Sequence, residues 1–260
     1  KNLCNSIKEL YEKGQPQLLI ICVPPLECKS ICEIAFKYKW KILIEKPVGI
    51  NLKEAKDIIN HSKLNNTKGY VALNRRFYSS TTSVINKLKK FPEQRLVTVL
   101  DQEDTKAALM AGYPKKVIEN WMYANSIHLI DYFQIFCRGE LINVENLINW
   151  DLKSSHFVFC KLNFSSGDIG IYQCNWNAPG PWSVTLVNSK IRFEMKPLEQ
   201  ANFQLFGSRE TFPLHSENFD SLYKPGLYMQ AREAIKAANN KTHKLVSINE
   251  GYKTMKAVSL

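Results

Sequence analysis

No G-x-G-x-x-G turn occurs anywhere in this chain of 260 residues, and of its 11 glycines only Gly14 and Gly49 fall in the first fifty positions, each standing alone. Glycines in such a turn let backbone approach a pyrophosphate at a helix N-terminus, and the sequence provides no cradle of that kind. Long apolar runs are missing too. No stretch approaches the length that crosses a bilayer and no signal peptide is visible, which argues against a membrane partner. Strong local charge is absent despite a net charge of +11. Lysines are scattered through every segment, no run of five or more basic residues occurs, and Lys89-Lys90 and Lys115-Lys116 are isolated pairs, so no nucleic-acid partner is expected. A solvated surface accounts for most of this charge, and the remainder helps to steer an anionic substrate. The seven cysteines are an odd number at irregular spacing. Cys28 and Cys32 share a helix face, but a Cys-x-x-x-Cys pair without nearby histidines reads as buried thiols rather than a metal site. Reduced thiols, a cytoplasmic location and no bound metal are therefore expected.

What is present is first an alternation of strand and helix. Residues 18–23 are apolar at every position, as suits a central parallel strand covered on both faces, and Pro24-Pro25 stop them. Ile31, Ile34, Ala35 and Tyr38 recur at helical spacing within residues 27–38, and a second apolar strand follows at 41–44. Strand, helix and strand with short connections form a right-handed crossover. Asn51 with Glu54 three positions later is a capping signature for a helix whose apolar face is Leu52, Ala55, Ile58 and Ile59. A third strand, 70–73, ends in Asn74-Arg75-Arg76-Phe77. Beyond it come helices at 79–88 and 119–136 and a strand at 95–100, and then strand-like segments dominate at 141–150, 157–164, 169–176, 183–187 and 192–195, with turn signals at Ser165-Ser166-Gly167-Asp168 and Asn188-Ser189. This second part reads as one large antiparallel sheet.

Four places carry candidate chemistry. Ligands of open α/β sheets bind outside the carboxyl ends of the strands, and strand 41–44 ends there in Glu45-Lys46-Pro47. Proline pushes the residue before it into extended backbone, which fixes the direction in which Lys46 leaves the strand; an ordinary surface Glu/Lys pair is the alternative. Arg75 and Arg76 would open a helix, where cations are mildly unfavourable, so their placement points to a nearby phosphate or carboxylate. His128 stands in a very apolar helix, where a histidine is either a core residue or a proton-transfer group. Trp176 and Trp182 flank a rigid, proline-bearing corner, and packing or sugar stacking would explain both.

Taken in order, Val23-Pro24-Pro25, Glu45-Lys46-Pro47, Asn74-Arg75-Arg76-Phe77, the helix with His128 and Asp131, and Trp176-Asn177-Ala178-Pro179-Gly180-Pro181-Trp182 resemble the Gfo/Idh/MocA family of NAD(P)-dependent oxidoreductases from Gln17 to the C-terminus. The resemblance implies an α/β fold. A partial Rossmann-like parallel sheet would occupy residues 1–75, and an α+β substrate and oligomerisation domain with a large, mostly antiparallel sheet would occupy residues 76–260, making a homo-oligomer the expected state. It also implies NAD or NADP as cofactor, bordered by Val23, Pro24, Pro25, Glu45, Lys46, Pro47 and Asn74. The substrate would be a sugar, nucleotide sugar or related polyol whose secondary alcohol exchanges hydride with nicotinamide, with Arg75 and Arg76 binding it. Lys46 would polarise the substrate and share proton transfer with His128, and Asn125 would orient the hydroxyl.

Two departures from the family qualify this. Its members commonly carry an aspartate four residues before the histidine, where this chain has Ala124, which neither ionises nor hydrogen-bonds. Asp131, a turn beyond His128, reads as a structural hydrogen-bonding residue. The family's opening strand, glycine-rich turn and helix are also missing. Because the chain opens with Lys1 and enters a helical stretch at 3–11 directly, truncation is the expected reason, and tight cofactor binding is not expected of the chain as written. The alternative is a cofactor-deficient paralogue serving as a binding or assembly subunit.

Overall fold

A computed structural model describes residues 3–151 and 156–258. The chain divides into two compact units, one formed by the residues up to Leu73 together with Met229–Met255, the other by Asn74–Tyr228 and the residues from Lys256 on.

In the first unit, strands β1 (Leu18–Ile21), β2 (Lys41–Glu45) and β3 (Gly69–Ala72) run parallel, with Ile21 opposite Ile44 and Ile44 opposite Val71. That register brings their carboxyl ends to one level. The connections are the helices Cys28–Ala35 and Leu52–Leu64. Asn51 caps the second of these by accepting from the Glu54 amide at 3.0 Å, and the Glu54 carboxylate accepts in turn from the Ile50 amide at 3.2 Å. Between β2 and that helix, Gly49 has φ +76°, and a Cβ there would lie 2.8 Å from the Ala55 nitrogen, so both conformation and space demand glycine. Strand β1 is not central as its composition predicts. It is the edge of the sheet, and Ile20 is 55% exposed. The apolar run Ile42–Ile44 serves β2, which has a strand on each side, whereas among the described residues β1 pairs with β2 alone.

The second unit holds strands β4 (Leu96–Glu103), β5 (Leu141–Ile148), β6 (Phe157–Phe164), β7 (Ile169–Trp176), β8 (Ser183–Val187), β9 (Ile191–Met195), β10 (Asn202–Leu205) and β11 (Phe212–Pro213). They form a single sheet in the order β11-β10-β9-β8-β4-β7-β6-β5. Every neighbouring pair is antiparallel except β4 with β7. Side chains alternate across it, so Val97, Val99, Asp101 and Glu103 of β4 lie on the buried face with Tyr172, Cys174 and Trp176 of β7. The helix Ile127–Phe136 packs on this face. Gly170 makes room for it, since a Cβ there would meet the Phe133 ring at 2.8 Å. Residues 119–136 are not the single helix their apolarity predicts: Met122–Ser126 form a π turn in which the Ile127 amide bonds back to the Met122 carbonyl.

The chain then returns to the first unit through the helix Leu227–Ala238, strand β12 (Val246–Ser247) and the helix Ile248–Val258. Strand β12 pairs antiparallel with β3, Val246 opposite Val71, and Leu245, Val246 and Ile248 are buried there. The division expected from sequence, with everything from residue 76 to 260 in one domain, is corrected accordingly. A two-residue strand leaves no periodic signal, and what fixes it is burial against β3.

Candidate active site

The carboxyl ends of the parallel strands in the first unit carry the expected motifs. Val23, Pro24 and Pro25 form the loop that leaves β1, and Glu45 closes β2 at an exposed position. Lys46 is half-buried and is followed by buried Pro47 across a cis peptide bond. Cys22 lies near enough to Glu45 that partial burial and then that carboxylate's charge push its thiol upward. Beneath the motif the Cys28 sulfur stands 3.9 Å from the Pro47 carbonyl and 3.9 Å from the Cys32 sulfur. Both thiols are buried, and among the described residues no group of three or more His, Cys, Asp or Glu is placed to hold a metal.

These strand ends suit one end of a dinucleotide. Two prolines without N–H groups offer an apolar wall for a flat ring, and Lys46 offers a cation beside it. For the pyrophosphate the sequence supplies no glycine turn.

The second group of residues lies in the second unit. Asn74–Phe77 form a 3-10 turn in which the Asn74 amide donates to the Pro225 carbonyl at 3.2 Å. The next two residues part company. Arg76 is pinned by Asp131 in a two-pronged pair, Nε and Nη2 each 2.7 Å from a carboxylate oxygen, and the Asp131 side chain is only 2% exposed. Two of its guanidinium nitrogens are thereby held within the protein, and Asp131 spends both carboxylate oxygens on them. Arg75 instead places its guanidinium carbon 4.8 Å from the centre of the Trp182 ring, and its buried Nη1 meets no acceptor among the described residues. Trp176 packs in the core at 2% exposure, whereas Trp182 is 41% exposed and donates to the Gln102 carbonyl at 2.8 Å.

His128 is the half-exposed member of a helix start whose neighbours Ile127, Leu129 and Ile130 are each 1% exposed. The π turn before it carries Asn125 to a partner the sequence did not indicate. Its Nδ2 donates to both oxygens of Glu103, at 3.1 and 2.8 Å. Trp121 Nε1 donates to the same carboxylate at 2.6 Å and Ser126 Oγ at 3.2 Å. On the same face of β4, Asp101 accepts from the Tyr172 hydroxyl at 2.7 Å. Burial first, and then the charge of Asp101, raise Glu103 to about 8, against the opposing hydrogen bonds of Asn125, Trp121 and Ser126. Sequence reasoning missed both carboxylates. The alternation Val97, Val99, Asp101, Glu103 is the signal that would have found them, because it carries the inward face of a strand straight into two acids.

Residues 2–72 match the model of an oxidoreductase family with an NAD-binding Rossmann fold, Gfo/Idh/MocA. Solved structures share the fold along the chain. UDP-N-acetylglucosamine 3-dehydrogenase GnnA from Acidithiobacillus ferrooxidans superposes with a TM-score of 0.78 at 12% identity, over 99% of this chain and 80% of that one. An aldose-aldose oxidoreductase from Caulobacter crescentus in complex with glycerol gives 0.78 at 13% identity, over 96% and 77%. Levoglucosan dehydrogenase in complex with NADH and levoglucosan gives 0.77 at 15% identity, over 98% and 80%. No curated protein matches the chain by sequence.

Proposed function

We propose, from residues 2–72 that match the family model of the Gfo/Idh/MocA oxidoreductases, that this protein transfers a hydride between NAD or NADP and a secondary alcohol of a sugar, nucleotide sugar or related polyol. The placement of His128 carries the reading. Its imidazole keeps partial solvent contact at the head of an apolar helix, with Nδ1 buried, whereas Ile127, Leu129 and Ile130 beside it are enclosed. Bound nicotinamide supplies the hydride chemistry. The chain's task is the proton: oxidation of a carbinol carbon releases the hydroxyl proton, and His128 accepts it as general base, then returns it when the reaction runs backwards. Lys46, half-buried at the end of β2, is assigned to polarising the substrate. Val23, Pro24, Pro25, Glu45 and Pro47 border the cofactor ring, and Asn74 is assigned to the same border.

Arg75 and Trp182 support a substrate that combines a sugar ring with an anionic group. A cation layered on an exposed indole offers a stacking surface, and a buried N–H without an acceptor is a costly group that a phosphate or carboxylate oxygen would satisfy. The seven cysteines, all free thiols, suit a reducing compartment such as the cytoplasm. No described helix is long and apolar enough to cross a membrane.

The non-catalytic alternative draws on two features, the missing glycine turn and Ala124. Fluorescence titration of NADH and NADPH, run on this chain and on the full reading frame from its genomic locus, separates the two. Binding by the full-length protein is the expected outcome; binding by neither would favour the assembly subunit.

A homo-oligomer is part of the same reading. The sheet of the second unit buries one face under helices, while the other exposes Leu96, Ile148 and Phe157 at 41%, 45% and 51%, with a cavity of about 220 Å³ against Ile148, Phe157, Phe159 and Gln173. A second copy of this face is the proposed cover. Light scattering on Phe157→Glu is expected to show a smaller particle than wild type, and an unchanged mass would remove the sheet from the interface.

A further inference from the structure

We propose that Glu103 is a positioning residue for His128: its buried carboxyl takes donors from Trp121, Asn125 and Ser126 and thereby fixes the π turn on which the His128 helix starts. The assignment rests on the oxidoreductase reading for what His128 does, but not for the geometry. Glu103 is 2% exposed, and three side chains drawn from six consecutive residues converge on its two oxygens. Trp121 precedes the π turn and Ser126 closes it, so the carboxyl clips both ends of the turn to strand β4. His128 follows two residues later.

A π turn inserts one residue into a helix and swings everything after it, which is stable only where something holds the wider loop. Nothing apolar at position 103 would do so. A valine there would continue the Val97, Val99 face and pack well, but it would leave an indole N–H, an amide and a hydroxyl buried without an acceptor. The turn would then relax toward an ordinary helix, rotating the residues beyond it.

The groups facing this carboxyl are few. Asp101 shares its strand face and is itself bonded by the Tyr172 hydroxyl, Cys174 faces it from β7, and the turn contributes neutral donors only. Arg75 acts on Asp101, which burial raises first of all. With its own proton affinity raised to about 8 by burial and by Asp101, Glu103 changes charge close to neutral pH. The ionised form accepts from all three donors. The protonated form has to find an acceptor for its own hydrogen, so the clip loosens as pH falls.

The test reads both ends of this link in the unliganded chain by NMR. The Trp121 indole N–H resonance is expected to titrate with a midpoint near 8, and the His128 ring resonances to show an inflection at the same pH. In Glu103→Gln both inflections should vanish. In the active protein the same variant should lower kcat about 100-fold with KM nearly unchanged, the signature of a displaced catalytic group. A titrating Trp121 with no matching response at His128 would overturn the proposal, as would a His128 curve unaltered by Glu103→Gln. The wild-type titration decides alone if that variant does not fold. Failure of the full-length protein to bind nicotinamide would overturn the oxidoreductase reading, and the shared inflection would still establish the link.

Discussion

Replacing His128 by alanine is expected to lower kcat by about 10²–10⁴-fold, the range that a positioned general base contributes. The loss should fall on kcat and kcat/KM together, because the imidazole is needed only when the hydroxyl proton leaves. Fold should survive. His128 is half-exposed, and the packing of its helix rests on Ile127, Leu129, Ile130 and Phe133. Steady-state kinetics with the cofactor that binds, beside a melting curve, checks both statements. Lys46→Met tests the partner role, and the double variant should lose much less than the product of the single losses if the two groups serve one proton transfer. Wild-type turnover by His128→Ala would end the assignment.

The largest loss of stability is expected from Asp168. This aspartate is fully buried in the turn before β7 and accepts from the Arg95 amide and the Arg138 amide, each at 2.9 Å, and from Arg138 Nε and Nη2 at 2.9 and 2.7 Å. One side chain thereby ties the start of β4, the end of the His128 helix and the β6–β7 turn. Asp168→Ala should cost about 2–3 kcal/mol, since it strands two half-buried amides and leaves a partly exposed guanidinium without its anion. Urea unfolding measures it. Burial on its own raises the carboxyl, but hydrogen bonds from the Arg138 side chain and from the Arg138 and Arg95 backbones, with the Arg138 charge, hold it below its ordinary value of 3.8. A depressed carboxyl stabilises the fold above its unfolded pKa, and the contribution is lost as pH falls through the folded value. Asp168→Ala should therefore flatten the acid limb of the stability curve below about pH 4. Glu103 slopes the other way. Its raised value means that the folded state holds the proton more firmly than the unfolded chain, so its contribution declines as pH climbs toward 8.

Legibility in the sequence followed the range of the forces involved. Strands β2 and β3 stood out because both of their faces are buried, and the Asn51–Glu54 cap because it is completed within four residues. The sheet of the second unit was visible strand by strand in its alternation. Its order was not: the parallel seating of β4 against β7, and β10, β11 and β12 altogether, are long-range pairings of short segments with little pattern of their own. The site divides in the same way. Lys46 and His128 were picked out by local motif. The partner of Arg76 is not legible, because nothing in its neighbourhood reveals Asp131, 55 residues on. Glu103 and Asp101 escaped notice because an acid on the inward side of a strand becomes meaningful only with the donors that face it.

Strand β12 has a consequence for the order in which the protein comes into being. Synthesis delivers β3 well before its antiparallel neighbour, with residues 74–228 of the second unit made in between. On the ribosome the eight-stranded sheet is complete in sequence before the first unit is, and until residues 246–248 emerge the β12 edge of β3 stays open. A nascent chain stalled just short of Leu245 would therefore carry every strand of the eight-stranded sheet while the β12 edge of β3 is still unpaired.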